Sequence, residues 1–182
     1  VYFNETGTLE AFNTDGLRSL IYTMKHIPFM KEKTLRYPGH IGLIKALKAA
    51  GFLDIEPVSV SNVMIKPLDF TSEILFKAWK PDPEDPEFTI MNVVLRGEEK
   101  GVRKEICYRL YDEYDPGEKL SSMARTTGFT ATAAAEMIMG GLFNKKGLFP
   151  PELAGSDAEC FNFILRYLKE RNVNFTISEK NI

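Results

Sequence analysis

The residues best suited to chemistry lie in Lys31–His40, which reads KEKTLRYPGH. It gathers three cations, two hydroxyl-bearing side chains and a histidine just before an apolar-periodic segment. The planar guanidinium of Arg36 suits two-point binding of a carboxylate. If the stretch is extended, alternation puts Lys31, Lys33, Leu35 and Tyr37 on one face and Thr34 and Arg36 on the other. Pro38-Gly39 then turns the chain into a helix marked by Ile41, Ile44 and Leu47 and stopped at Gly51. A turn that feeds a helix N-terminus also suits an anion. Arg36 and His40 are therefore candidate ligand contacts, and the alternative is that both tie down the turn.

Two further clusters are candidates. Asn13-Thr14-Asp15-Gly16 precedes a short helical pattern, Leu17–Met24, which His26-Ile27-Pro28 ends. Thr14 or Asp15 can cap that helix or face a ligand. Ser121–Gly128 is rich in hydroxyls around Arg125, Thr126 and Thr127. These can meet a polar ligand, or act as caps and surface groups. The Ala-rich helix expected from Thr130 to Gly140-Gly141 offers Ala131, Ala134 and Ala135 for close backbone approach.

Other chemistries are excluded by what is missing. There is no glycine-rich dinucleotide loop, phosphate loop, Gly-x-Ser-x-Gly elbow, His-Glu-x-x-His helix or Cys-x-x-Cys pair. His26 and His40, with Cys107 and Cys160, do not form a metal-ligand spacing, and two reduced thiols are the plainer reading. Lys plus Arg is 23 against 25 Asp plus Glu, a net charge of −2, without the basic stripe that nucleic acid requires. No run of 18 apolar residues suggests a membrane span, and no signal peptide is visible. Asp82 to Asp85 supplies neighbouring carboxylates in a proline-rich, solvated setting unsuited to acid–base work.

The elements that must position these residues are those of an α/β domain with α+β character, a mixed sheet covered by helices. A hydrophobic fraction of 44% over 182 residues supports one folded domain. Strand pieces are expected at Val1–Phe3 and Thr8–Phe12, a strand at Val58–Val63, and a helix at Phe70–Trp79. Pro81–Pro86 is an exposed break. Phe88–Arg96 and Val102–Glu113 alternate as an antiparallel pair across Gly97–Gly101. A helix at Asp157–Arg171 and a last strand at Asn174–Ser178, of unassigned partner, complete the chain.

The order and spacing of Leu9–Leu17 (LEAFNTDGL), Glu32–His40 (EKTLRYPGH) and Ser122–Phe129 (SMARTTGF) resemble the saccharopine dehydrogenase family, in particular the second domain of the glutamate-forming saccharopine reductases. The resemblance spans roughly Val1–Glu152. It implies a substrate-binding and dimerising domain, similar to the C-terminal domain of glyceraldehyde-3-phosphate-dehydrogenase-like oxidoreductases. It also implies an N-terminal Rossmann domain that binds NADP or NAD and a cytoplasmic, homo-oligomeric enzyme. The substrate would be saccharopine or, as in a related branch, carboxynorspermidine. Arg36 would contact a substrate carboxylate, Thr14 and Asp15 would face the cleft, and Arg125 and Thr126 would belong to a later site segment. No general acid or base is assigned. Without the nicotinamide domain the chain is expected to be inactive. A noncatalytic binding or assembly module is the competing reading.

Overall fold

The computed structural model describes residues 1–82 and 85–182; Pro83 and Glu84, within the expected proline-rich break and carboxylate group, lie outside the described residues. The chain divides into two compact units, Val1–Pro81 and Asp82–Ile182, each considered by itself.

The first unit opens with β1 (Tyr2–Phe3), β2 (Gly7–Thr8) and β3 (Glu10–Asn13), then α1 (Leu20–Thr23), β4 (Lys33–Arg36) and α2 (His40–Ala49). β5 (Val58–Val60), β6 (Val63–Ile65) and α3 (Pro67–Trp79) follow. β1 pairs with β2, β3 with β4 and β5 with β6, all antiparallel. The single strand expected at Val58–Val63 is instead a tight hairpin. Ser61 and Asn62 both take positive φ, 52° and 65°, which matches the right-handed twist of the flanking strands. The expected helix at Leu17–Met24 shrinks to α1, and neither Thr14 nor Asp15 caps it. The Asp15 carbonyl accepts the Arg18 N–H in a turn, and Thr14 is engaged elsewhere. α3 begins as expected of a Pro at the first helical position, where the missing N–H costs nothing.

The second unit carries β7 (Phe88–Glu99), β8 (Val102–Glu113), α4 (Ser122–Met139), α5 (Pro151–Gly155), α6 (Ala158–Lys169) and β9 (Phe175–Asn181). Its three-stranded sheet runs β7-β8-β9, antiparallel throughout, so β9 finds its partner in β8. The β7–β8 turn is only Lys100-Gly101, both at positive φ, so β7 runs three residues beyond the expected Arg96, while β8 has the expected bounds. Leu110 of β8, Leu168 of α6 and Val173 form the core, with Phe129, Ile164 and Phe175 against it. The side of α4 turned inward is Ser122, Arg125, Ala133 and Met137. Ala131 and Ala135 lie on its exposed side, so Ala133, which is fully buried, is the small residue that permits close approach. α4 also starts eight residues before the expected Thr130, because Ser121 accepts the Ala124 N–H as N-cap.

The chain is thus α/β. Among the described residues its strands are distributed over four small antiparallel sheets, where alternation suggested one broad mixed sheet.

Candidate functional site

The β3–β4 ribbon sets out the first group of candidates. Its register pairs Glu10 with Arg36, Ala11 with Leu35, Phe12 with Thr34 and Asn13 with Lys33. Opposed residues share a face, so Glu10, Phe12, Thr34 and Arg36 lie on one side, with Thr34 and Arg36 together as alternation predicts. Thr14 continues that side beyond the end of β3. Its hydroxyl donates to Glu32 and lies 2.9 Å from the Thr34 hydroxyl. Glu32 also accepts the Gly16 N–H at 3.2 Å. The Thr14 hydroxyl, followed by the Gly16 N–H and the Thr34 hydroxyl, holds the Glu32 carboxyl below its usual range against a smaller effect of burial. Gly16 leaves room for this arrangement, because a Cβ there would stand 2.6 Å from the Glu32 side chain and displace it.

At the other end of the ribbon, Glu10 accepts the N–H of Gly39, the N-cap of α2, at 3.2 Å and that of Ile41 in the first turn of that helix. The anion expected at this helix start is therefore supplied by the chain itself. Arg36, directly across from Glu10, donates Nη1 to the neighbouring Leu35 carbonyl at 2.8 Å and is otherwise exposed. His40 is half-buried; its ring stacks on Phe12 and tilts against Trp79, each at 6.3 Å between centroids. Asp15 sits in the exposed turn and forms a loose ion pair with Arg18 at 3.8 Å.

Arg125 and Thr126 lie in the second unit. Arg125 is buried and committed. Its Nε and Nη2 reach Asp112 at 3.3 to 3.4 Å, Nη1 reaches Asp115 at 2.8 Å, and Nη2 also donates to the Arg171 carbonyl at 3.3 Å. Arg125, Asp112 and Asp115 edge an open depression of about 390 Å³ with Tyr111, Tyr114 and Asn172. Asp115 is held below its usual range chiefly by the Glu118 N–H, with Gly117 N–H and Arg125 adding to it. Thr126 donates to the Ser122 carbonyl at 2.8 Å, a bond back into its own helix.

The structure therefore brings Thr14, Arg36 and His40 to one ribbon, with Asp15 in the adjoining turn, and places Arg125 and Thr126 in a separate unit. Sequence reasoning missed Glu10 and Glu32, whose carboxylates hold the two ends of that ribbon. Glu32 shares the parity of Thr34 and could have been found that way. Glu10 acts on amides 29 and 31 residues away and leaves no local signal.

The combination of small antiparallel sheets, helices and a ribbon carrying an exposed guanidinium defines an α/β domain with a polar surface at that ribbon. Residues 1–173 match the family described as the saccharopine dehydrogenase C-terminal domain, and the chain belongs to that family. The match spans both compact units. The family is one of oxidoreductases, and a C-terminal domain implies an N-terminal companion domain in the full enzyme. No helix among the described residues is long and apolar enough to cross a membrane, and no group of three or more His, Cys, Asp or Glu among them is placed to hold a metal ion.

Enzymes of this family generally use NAD or NADP. The starts of this chain's long helices do not fit the pyrophosphate of such a cofactor. The starts of the long helices are already filled: α2 by Glu10, α4 by Ser121 and Glu87, and α6 by Asp157. In α3, Pro67 has no N–H and Leu68 donates to the Asp54 carbonyl at 3.0 Å. All four helix starts carry a carboxylate, Asp69 in the case of α3, and a carboxylate repels phosphate.

Proposed function

We propose that the chain is the substrate-side domain of a nicotinamide-dependent oxidoreductase acting on a C–N bond of saccharopine or a related amino-acid conjugate, as in lysine metabolism. Arg36 holds and orients a substrate carboxylate, with Thr14, Asp15 and His40 around it. The observation that carries this reading is the contrast between two arginines. Arg125 is enclosed by two internal carboxylates and a carbonyl, whereas Arg36 is exposed and spends one donor on its neighbour's carbonyl. A guanidinium with donors to spare is the group that gains most from an external carboxylate.

NADP or NAD, with its hydride chemistry, belongs to an N-terminal Rossmann domain, and the chain alone is inactive. The setting is a cytoplasmic homo-oligomer. Support for a covering partner comes from surface area. The chain exposes 13601 Å². Two separate globules of half the mass together expose roughly 11000 Å². Phe29, Phe70, Phe76 and Met64 are among the exposed apolar residues of the first unit that a companion domain or second copy would cover.

The test is calorimetric binding of saccharopine, glutamate and carboxynorspermidine to the chain joined to its N-terminal domain, with and without Arg36→Ala. Loss of acidic-ligand binding at unchanged thermal stability supports the reading. Unchanged binding of every acidic ligand refutes the clamp, and failure of the wild type to bind any of them favours a noncatalytic assembly module. Nicotinamide-dependent turnover by the isolated chain would refute its inactivity.

A further inference from the structure

Glu10 stands directly opposite Arg36 in the β3–β4 register. Side chains so opposed have Cβ atoms about 5 Å apart, close enough for opposite charges to pair. Here they do not pair. Both Glu10 carboxylate oxygens are taken by α2, Oε2 by the Gly39 N–H at 3.2 Å and Oε1 by the Ile41 N–H. The helix start offers two aligned N–H donors and a partial positive charge, which together outcompete one flexible exposed guanidinium. Gly39 makes this geometry accessible. It takes φ of 101° at the N-cap, a conformation open to glycine, with no atom within 4 Å of where a Cβ would stand. The short Arg36-Tyr37-Pro38-Gly39 link thus runs from the end of β4 to an anchor on β3, the strand across from Arg36 itself.

We infer that Glu10 is a positioning residue for Arg36: by capping α2 it fixes the end of β4 against β3, and because its carboxylate is spent on the helix the Arg36 guanidinium stays open to the carboxylate of an incoming amino acid. The inference rests on the proposed role of Arg36. Removing Glu10 frees more positive charge near Arg36, so simple electrostatics predicts tighter anion binding. Positioning predicts weaker binding, and the two expectations have opposite signs.

The experiment uses the full enzyme, with glutamate and saccharopine as probes, and compares Glu10→Ala, Glu10→Gln and Arg36→Ala. In Glu10→Ala, Kd and KM for the acidic probe rise by about tenfold, the size expected for losing hydrogen bonds to a charged group, with kcat little changed. Glu10→Gln keeps one acceptor oxygen and recovers most of that loss. Hydrogen exchange over residues 37–43 accelerates in Glu10→Ala and less in Glu10→Gln. If Arg36→Ala leaves Kd unchanged, the carboxylate clamp falls and this inference with it. If Arg36→Ala weakens binding but Glu10→Ala does not, or tightens it, the clamp stands and the positioning role is overturned. Equal loss in Glu10→Ala and Glu10→Gln, or weaker binding with unaltered exchange at the helix start, overturns it as well.

Discussion

Replacing Arg125 with Met tests whether this arginine is a structural pin. The Arg125 side chain is 7% exposed and that of Asp112 is 4% exposed, with the closest charged atoms 3.3 Å apart. At an effective dielectric of about 20, opposite charges near 4 Å attract by about 4 kcal/mol. Met keeps much of the apolar stem and deletes the charge, leaving Asp112 buried without its partner. Breaking a buried pair in this way costs about 3–5 kcal/mol. The other losses are smaller. Asp115 keeps N–H donors from Gly117 and Glu118 and its side chain is 30% exposed, so that contact adds on the order of 0.5 kcal/mol. The guanidinium lies 5.9 Å from the Phe129 ring, for another ~0.5 kcal/mol.

The expected total, about 4–6 kcal/mol, is a large fraction of the ~5–15 kcal/mol that holds a domain folded. Urea titration followed by far-UV circular dichroism measures it as a fall in midpoint at unchanged slope. The Arg125→Met/Asp112→Leu double variant should recover part of the loss, with a coupling of roughly 2 kcal/mol, because no buried charge is left unpaired. A loss below about 1 kcal/mol, or strict additivity in the double variant, would refute the reasoning and return Arg125 to the pool of ligand-binding groups.

Acid should loosen the attachment of β9. Lys180 and then Arg96 hold the Glu105 carboxyl below its ordinary value of 4.5, so the stability from that row is complete above pH 4.5 and is lost as pH falls through the lower folded value; Glu105→Gln should flatten that acid limb in a pH series of thermal melts. Lys104 behaves oppositely. Hydrogen bonds to Glu179 and Glu99 raise its value above 10.5, so its contribution is complete below that pH and disappears only in stronger alkali, which the same melts would register. Gly39→Ala should cost about 1–2 kcal/mol from its φ of 101° alone, since a Cβ there meets nothing, and a denaturant midpoint measures it. Gly16→Ala should displace the Glu32 side chain, and the Glu32 carboxyl titration, followed by carbon-13 NMR, should move up toward 4.5.

What the sequence made readable was local. Alternation at Met91, Val93 and Leu95 against Ile106, Tyr108 and Leu110 announced β7 and β8, and Asp157 marks the start of α6 as its N-cap. The β5–β6 hairpin went unread because Ser61-Asn62 lacks the glycine that usually signals such a turn. The first half of α4 was concealed by Thr126, Thr127 and Gly128, poor helix formers; the Ser121 cap and the buried ion pair of Arg125 supply what propensity lacks. In the candidate site, the parity of Thr34 and Arg36 was legible because it depends on spacing alone. The fate of each carboxylate was not, because Glu10 and Asp112 meet their partners only after the chain has folded back.

That difference decides which arginine is available to a ligand. A balanced composition, 23 cations against 25 acids, is equally compatible with every cation being neutralised in place. Partner choice breaks the symmetry. Asp112 is buried and takes the guanidinium that α4 brings to it. Glu10 has a helix start within reach and an arginine across the strand, and it takes the helix. One unit thus spends Arg125 on folding, while the other spends Glu10 on folding and leaves Arg36 exposed. Two positions with the same residue type therefore diverge in exposure and in partners. The divergence lies in the competition for oxygen acceptors, which residue type alone does not encode.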